Sequence, residues 1–546
     1  MKRTLEKGED MVWVLKKTLV AAVALWLLAG LTAGFQTASQ PERQGLSFDV
    51  TLAPGVAAGP VSGRLLVLMT SDPNALDVIR FGFAGLFGPP AYVAAEEVTL
   101  RPGQALRFDP DRNAFPAPLS AAPAGDYQVM ALLDVDHSYA YAQMGPGDVH
   151  SAVAALPRAG GLRRISLALS KIVQDDPPAE KETIRLVSLQ SPALSEYWGR
   201  PIAIRAAVLL PDSYTKSPRR TFPAVFHIHG FGGDHREAWT YGARIADWMR
   251  DGTIPEMVHV YLDASWPLGH HEFADSVNNG PWGRALVDEF IPHLEKKFRL
   301  GGKPADRFLT GHSSGGWSSL WLQVRHPDFF GGTWSTAPDP VDFRSFTGVN
   351  LQADPPENMY RRPGGRARNL IRLEGKDRMT IEEFSRLERV LGEYGGQMDS
   401  FDAVFSPRGT DGRPQPLYHR ETGEINPAVA AAWKRYDIRR ILEENWKDLG
   451  PRLRSKIRIF VGDEDNFHLE EAVFHLRDFF KRVGSDALVE IVPGRDHFTL
   501  LDDALQKRIF RQMRGTGSRL QAPGVRIRKL IANDNSSYRQ VSPAIP

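Results

Sequence analysis

Leu309-Thr310-Gly311-His312-Ser313-Ser314-Gly315-Gly316 reads as a strand running into a G-x-S-x-G turn. Such a turn holds its serine at a tight bend, flanked by glycines because a side chain there would clash, and leaves the hydroxyl exposed. The pentapeptide alone recurs by chance, so its neighbours decide what it means. Upstream, Arg307-Phe308-Leu309-Thr310 reads as a short strand with Phe308 and Leu309 at its apolar centre. Downstream, Trp317, Leu320, Trp321 and Val324 repeat at helical spacing, so the serine opens a helix. The N-terminus of that helix directs N–H groups toward developing negative charge.

A strand, a nucleophile turn and a helix are the setting of an α/β-hydrolase sheet, in which the chain order is serine, acid, histidine. The acid is expected after Ile457-Arg458-Ile459-Phe460-Val461, a strand followed by Gly462-Asp463-Glu464-Asp465-Asn466. Asp465 is favoured over Asp463 because the extra length of loop lets it reach across the site. The base is expected after the strand Leu488-Val489-Glu490-Ile491-Val492, where Pro493-Gly494-Arg495-Asp496-His497-Phe498 supplies His497. A second oxyanion donor is needed beside the N–H of Ser314. The buried strand Ala224–Ile228 runs into His229-Gly230-Phe231-Gly232-Gly233-Asp234, and Phe231 or Gly232 is the expected donor. His227, His229, Asp234 and His235 do not have metallo-hydrolase spacing, and the chain has neither H-E-x-x-H nor cysteine, so no metal is expected.

These segments resemble a known family of esterases that includes esterase D, enterochelin esterase and feruloyl esterase relatives. The resemblance rests on His229–Gly233, Gly311–Gly316, Gly462–Asp465 and Gly494–Phe498, and on Phe273–Gly283 ahead of a helix carrying Leu286, Phe290, Ile291 and Leu294. It covers roughly residues 183–512 and implies a cofactor-free Ser-His-Asp esterase of α/β-hydrolase fold. It also places His270, His271 and Asn279 along the substrate pocket. Trp266, Trp282 and Trp317, with Phe231 and Phe498, are aromatic candidates for stacking on a sugar ring or phenolic acid. A glycan-linked, phenolic or siderophore ester is the expected substrate class. A peptidase or acyltransferase would use the same three residues. A catalytically silent envelope protein that binds glycan is the rival from outside enzymes, and it predicts that one of the three is missing.

About 115 residues, from Pro338 to Arg452, separate the strand after the nucleophile helix from the acid strand, and are read as a lid-like insertion. Within it, Ile381–Leu391 is amphipathic and Val429–Leu449 offers one or two more helices. Arg361, Arg362, Arg366 and Arg368 form a basic run read chiefly as a solvated loop, with an anionic substrate as the alternative.

Residues 46–170 have another character. Strand-like stretches at Leu46–Leu52, Gly63–Leu68, Tyr127–Leu133 and Leu162–Leu169 alternate with Gly, Pro and Asp, as in an all-β sandwich. Asp134, Asp136, Asp148 and His150 fall in its loops; turn formation accounts for them more simply than calcium. Lys171–Glu182 reads as a linker. This β region is either a module that docks on polymer or a brace for the hydrolase.

The 546-residue chain is long enough for two or three domains and has ordinary globular composition, with 42% hydrophobic and 24% charged residues. A net charge of +2 gives no reason to expect nucleic acid as a partner. The absence of cysteine excludes disulfides and a thiol nucleophile. Lys16 and Lys17 precede the apolar run Thr18–Leu31, with small residues at Thr32, Ala33 and Gly34, as in an export signal; an uncleaved membrane anchor is the alternative. Residues 1–40 are therefore assigned to targeting and 515–546 to an irregular tail, and oligomeric state is left open.

Overall fold

A computed structural model describes residues 45–81, 89–157 and 163–514. The expected export segment and C-terminal tail lie outside the described residues. Among those described, no helix is long and apolar enough to cross a membrane.

The N-terminal region forms two sheets. β1 (Leu46–Leu52) lies between β4 (Ala105–Phe108) and β9 (Arg163–Leu169) in the smaller. The larger is built around β2 (Val61–Thr70), β3 (Ala91–Leu100) and β6 (Asp126–Asp134), with the short β5 (Ala114–Phe115), β7 (Val149–His150), β8 (Ala154–Pro157) and β10 (Lys171–Ile172) at its edges. Alternation along β2 makes the division of labour visible. Leu65, Val67 and Met69 face the smaller sheet and pack with Phe48, Val50 and Leu167. Leu66 and Leu68 face the other way, into a second core. The expected linker begins later than its composition suggests, because Lys171 and Ile172 pair with His150 and Val149.

The hydrolase sheet has eight strands. In spatial order they are β11 (Ile184–Gln190), β12 (Ala203–Leu209), β14 (Val258–Leu262), β13 (Ala224–Ile228), β15 (Arg307–His312), β16 (Gly332–Thr336), β19 (Ile457–Gly462) and β20 (Leu488–Val492). Only β12 runs antiparallel to its neighbours. That order and that single reversal are those of the α/β-hydrolase fold. Most residues of the central strands are buried, as in a sheet covered on both faces, although β16 buries Thr333, Ser335 and Thr336 among them.

The insertion carries a hairpin, β17 (Asn369–Leu373) with β18 (Lys376–Thr380), and three principal helices. These are α4 (Ile381–Leu391), α5 (Gln397–Phe405) and α6 (Ile438–Arg452), numbered after α1 (Tyr139–Ala142), α2 (Glu237–Arg250) and α3 (Ser314–Arg325). A Thr380–Glu383 capping box starts α4. The insertion is not a detached flap. Phe343, Phe401, Phe405 and Trp433 share one core with the hydrolase sheet. Its helix α4 also closes the second core of the β region, where Leu387, Val390 and Leu391 meet Leu66, Leu68, Val93 and Leu132. The guanidinium of the buried Arg64 in β2 seals that contact, donating to the last-turn carbonyls of Val390 (2.9 Å) and Arg389 (2.7 Å).

Candidate active site

The nucleophile turn sits where the central strand β15 meets α3, and its sequence follows from clearance. A Cβ on Gly311 would collide with the carbonyl of Gly315, and one on Gly315 with the carbonyl of Ile228. Ser313 itself takes φ 59° and ψ −124°, a strained backbone that points its side chain away from the sheet. Its N–H donates to Thr336 O (3.0 Å), which ties the bend to β16.

His497 and Asp465 meet as the sequence predicts. His497 Nδ1 donates to Asp465 Oδ2 (2.8 Å), and the His497 N–H is held by Asn466 Oδ1 (3.0 Å). Burial works against charge on Asp465, yet His497 and the N–H of Phe467 hold its carboxyl below the ordinary range. Burial likewise opposes a proton on His497, but Asp465, and Asp339 beyond it, raise its pKa above the usual imidazole value. Asp463 is turned elsewhere and accepts the N–H of Gly494 (2.7 Å).

Residues 230–233 form a tight turn closed by Gly233 N–H to Gly230 O (3.1 Å), with Gly232 at φ +79° in the third position, where a positive φ is required. A Cβ on Gly230 would stand 3.4 Å from Ser313 Cβ, so turn and nucleophile are in contact. Ser314 is fully buried as the first residue of α3.

Ser313 and His497 open onto one cavity of about 690 Å3. Phe231, Phe384, Met398, Phe401, Phe467 and Phe498 give it an apolar, aromatic wall, half of it from the insertion. Of the residues expected to meet substrate, Phe231 and Phe498 are in this wall and the others are not. Trp266, His270, His271, Asn279, Trp282 and Trp317 are all absent from the cavity wall. His271 stacks on Trp282 (3.9 Å between centroids), and the Trp282 indole donates to Asn279 O (2.8 Å). Trp266 packs between Trp198 and Trp282. His270 donates to His229 O (3.1 Å), and Trp317 stacks on Trp321 while touching Phe405 of the insertion. These tryptophans pack in the core that seats the insertion.

The basic run is likewise peripheral: Arg361 pairs with Glu382 and Arg368 with Glu357, and none of its four arginines borders the cavity. The histidines weighed as metal ligands diverge. His227 shares a hydrogen bond with His259 (2.8 Å), His229 bonds the backbone of Gly230 and Ala264, and His235 bonds Asp263 (3.1 Å). Among the described residues, Asp134, Asp136 and Asp148 are brought together at ligand-like separations. Each of the three accepts backbone N–H groups of its own loops, and His150 turns to Ser151 O instead.

Two carboxyls were missed. Asp339 lies against Ser313, whose Oγ donates to its Oδ1 (3.4 Å), and Ser314 Oγ donates to its Oδ2 (2.6 Å). Burial and the neighbouring Glu272 push its pKa up to about 7. Its only sequence signal is an acid between two prolines just beyond the strand after the nucleophile helix. Glu272 accepts from Ser318 Oγ (2.5 Å) beneath α3, and burial drives its pKa well above the carboxylate range.

A family model described as "Putative esterase" matches residues 195–476. Among solved structures the chain is similar to a ferulic acid esterase, at 15% identity over 61% of this chain and 98% of the other, with a TM-score of 0.39. It is also similar to an S-formylglutathione hydrolase from Agrobacterium tumefaciens (15%, 60% and 94%, TM-score 0.37). A ferulic acid esterase from the anaerobic fungus Anaeromyces mucronatus gives 15%, 62% and 95%, with a TM-score of 0.32.

The geometry separates the two candidate acids. Asp465→Asn is expected to lower kcat by about 10³–10⁴-fold, since an amide neither holds the imidazole tautomer nor stabilises its cation. Asp463→Asn should stay within about threefold of wild type, the scale of a peripheral hydrogen bond. Steady-state kinetics on any turned-over ester decides, and the reverse ranking would reassign the acid.

Proposed function

Because the chain belongs to the putative esterase family, whose model spans just over half of it, and is a carboxylic ester hydrolase, we propose that it works through Ser313, His497 and Asp465 on esters with an apolar or aromatic group. The observation that carries this reading is one cavity bordered by a serine on a strained strand-to-helix bend and by an imidazole already oriented by a buried carboxylate.

Ser313 Oγ attacks the ester carbonyl as His497 Nε2 takes its proton, and Asp465 stabilises the imidazolium. The developing oxyanion is held by N–H groups of Ser314 and of the Phe231–Gly232 turn, reinforced by the N-terminus of α3. His497 then returns the proton to the leaving alcohol, and water releases the acyl group by the same steps in reverse. Phe231, Phe384, Phe401, Phe467 and Phe498 favour a flat or branched apolar substituent over a highly polar one. Phenolic esters suit such a wall, including those linked to glycan.

Ser313→Ala is expected to abolish hydrolysis of short-chain p-nitrophenyl esters by a folded protein. Activity surviving in that variant would place the nucleophile elsewhere. Since His497 must be neutral to accept the proton, and its pKa is raised, kcat/KM should climb with pH through a midpoint above about 6.5. Asp339→Asn removes one negative neighbour and should move that midpoint to lower pH. A midpoint that stays put or rises would remove Asp339 from the electrostatics of the base. The basic and apolar N-terminal run, Lys16–Leu31, supports export. Fractionation of cells expressing the full chain should find the enzyme beyond the cytoplasmic membrane or attached to it, and a cytoplasmic pool alone would refute this.

A further inference from the structure

The turn that supplies the second oxyanion donor is touched by the N-terminal β region. The contact is made by α1, four residues long. The Tyr141 hydroxyl donates to Gly233 O (3.0 Å). Its ring meets Phe231 edge-to-face, 5.0 Å between centroids. A Cβ on Gly232 would lie 3.5 Å from Tyr141 O. The same short helix abuts the loop leading into α5. A Cβ on Gly392 would come within 3.0 Å of Ala140 Cβ, and one on Gly395 within 3.7 Å of Tyr141 Cβ.

A helix of one turn cannot hold itself in water. Here the acidic loops hold it. Buried Asp134 accepts the N–H groups of Ser138 and Tyr139 (both 3.1 Å), and buried Asp148 accepts those of Val135 (2.9 Å) and Gly145 (2.8 Å). The Tyr139 hydroxyl accepts the N–H of Phe81 (3.0 Å). The turn it presses on has consecutive glycines at 232 and 233, so its own covalent structure restrains it little. Oxyanion donors work only when held within a fraction of an ångström of the position the charge will occupy.

We propose that Tyr141 is a positioning residue for the oxyanion turn, and that the N-terminal β region is thereby part of the esterase site. This rests on Ser313 being the nucleophile. Removing the hydroxyl frees the Gly233 carbonyl to rotate, and the N–H groups before it drift from the developing charge. The loss falls on the transition state and not on substrate binding.

Tyr141→Phe keeps the ring on Phe231 and deletes one hydrogen bond. It should lower kcat by about 5–20-fold with KM within about twofold and an unchanged melting temperature, less than the ~10²–10³-fold seen when a donor itself is removed. Affinity for an alkyl boronic acid, whose tetrahedral adduct needs the same donors, should fall by the same factor as kcat/KM. Tyr141→Ala should lose about 10²-fold if it folds, and Tyr141→Phe decides the matter if it does not. Wild-type kcat and boronate affinity in Tyr141→Phe would overturn the proposal, as would a rise in KM alone. Ser313→Ala run beside it separates the two ideas. Activity in Ser313→Ala sinks the reading of the nucleophile, whereas an inactive Ser313→Ala with a wild-type Tyr141→Phe sinks only the role of Tyr141.

Discussion

Everything at the site depends on how closely two backbones approach behind Ser313. The carbonyls of Gly315 and Ile228 occupy the space that side chains at 311 and 315 would need, so the nucleophile strand, its neighbour β13 and the start of α3 lie nearly in contact. The bend between them admits Ser313 only at positive φ, a conformation that costs on the order of 1–3 kcal/mol. It persists because both flanks are fixed. Ser313 N–H bonds to Thr336 O, Asp339 N–H bonds to Ser313 O (3.2 Å), and Trp317, one turn into the helix, is locked in the core. Thr336 and Asp339 stand on either side of the switch from β16 into the insertion, so the strained bend and the insertion's first residues constrain each other.

Charge at the site is as selective as shape. Burial removes water from every ionisable group near Ser313, and each responds according to its partners. His229 and His270 fall to about 4 and His312 to about 3, so all three are neutral near pH 7. Burial drives the Glu272 carboxyl well above the usual carboxylate range. His497 and Asp465 strengthen each other's charged forms through a 2.8 Å bond. Asp339, raised to about 7, changes charge in the working range and lies against the serine hydroxyl, and Glu237, raised to about 8, lines the same cavity.

The parts of this arrangement that were legible in the sequence are those set by local rules. Strand patterns, the glycine spacing around Ser313 and the chain order of serine, acid and histidine all reflect contacts between residues close in sequence or joined by one fixed sheet order. The preference for Asp465 over Asp463 followed from loop length alone, and it is Asp465 that bonds His497. Of the aromatic candidates, Phe231 and Phe498 line the cavity and the tryptophans do not, because a tryptophan has the same appearance in sequence whether it stacks on a ligand or on Trp321. Trp266, Trp282 and Trp317 pack against other rings, and the cavity wall is built from phenylalanines scattered between 231 and 498. Asp339 and Tyr141 had no local signature. Tyr141 meets Gly233 across 92 positions of chain, and nothing in either segment alone shows that contact.

The insertion and the β region are best understood together, through α4. One face of that helix presents Leu387, Val390 and Leu391 to the large β sheet. Phe384, a turn earlier, borders the cavity. Between them Glu388 accepts the N–H groups of Gln397 and Met398 at the start of α5, and the Gln397 amide donates to Ser314 Oγ and Asp339 Oδ2 (both 3.3 Å). Packed side chains move as units because an interior at crystal-like density leaves no slack. The position of the β sheet therefore sets α4, α4 sets one wall of the cavity, and α5 carries the constraint to the residue beside the nucleophile. Arg64 of the β region is itself buried against the last turn of α4. Its third bond goes to Glu97 of β3 (2.6 Å), so one guanidinium joins two strands of the large sheet to the end of α4, and a shift of either is felt by the other.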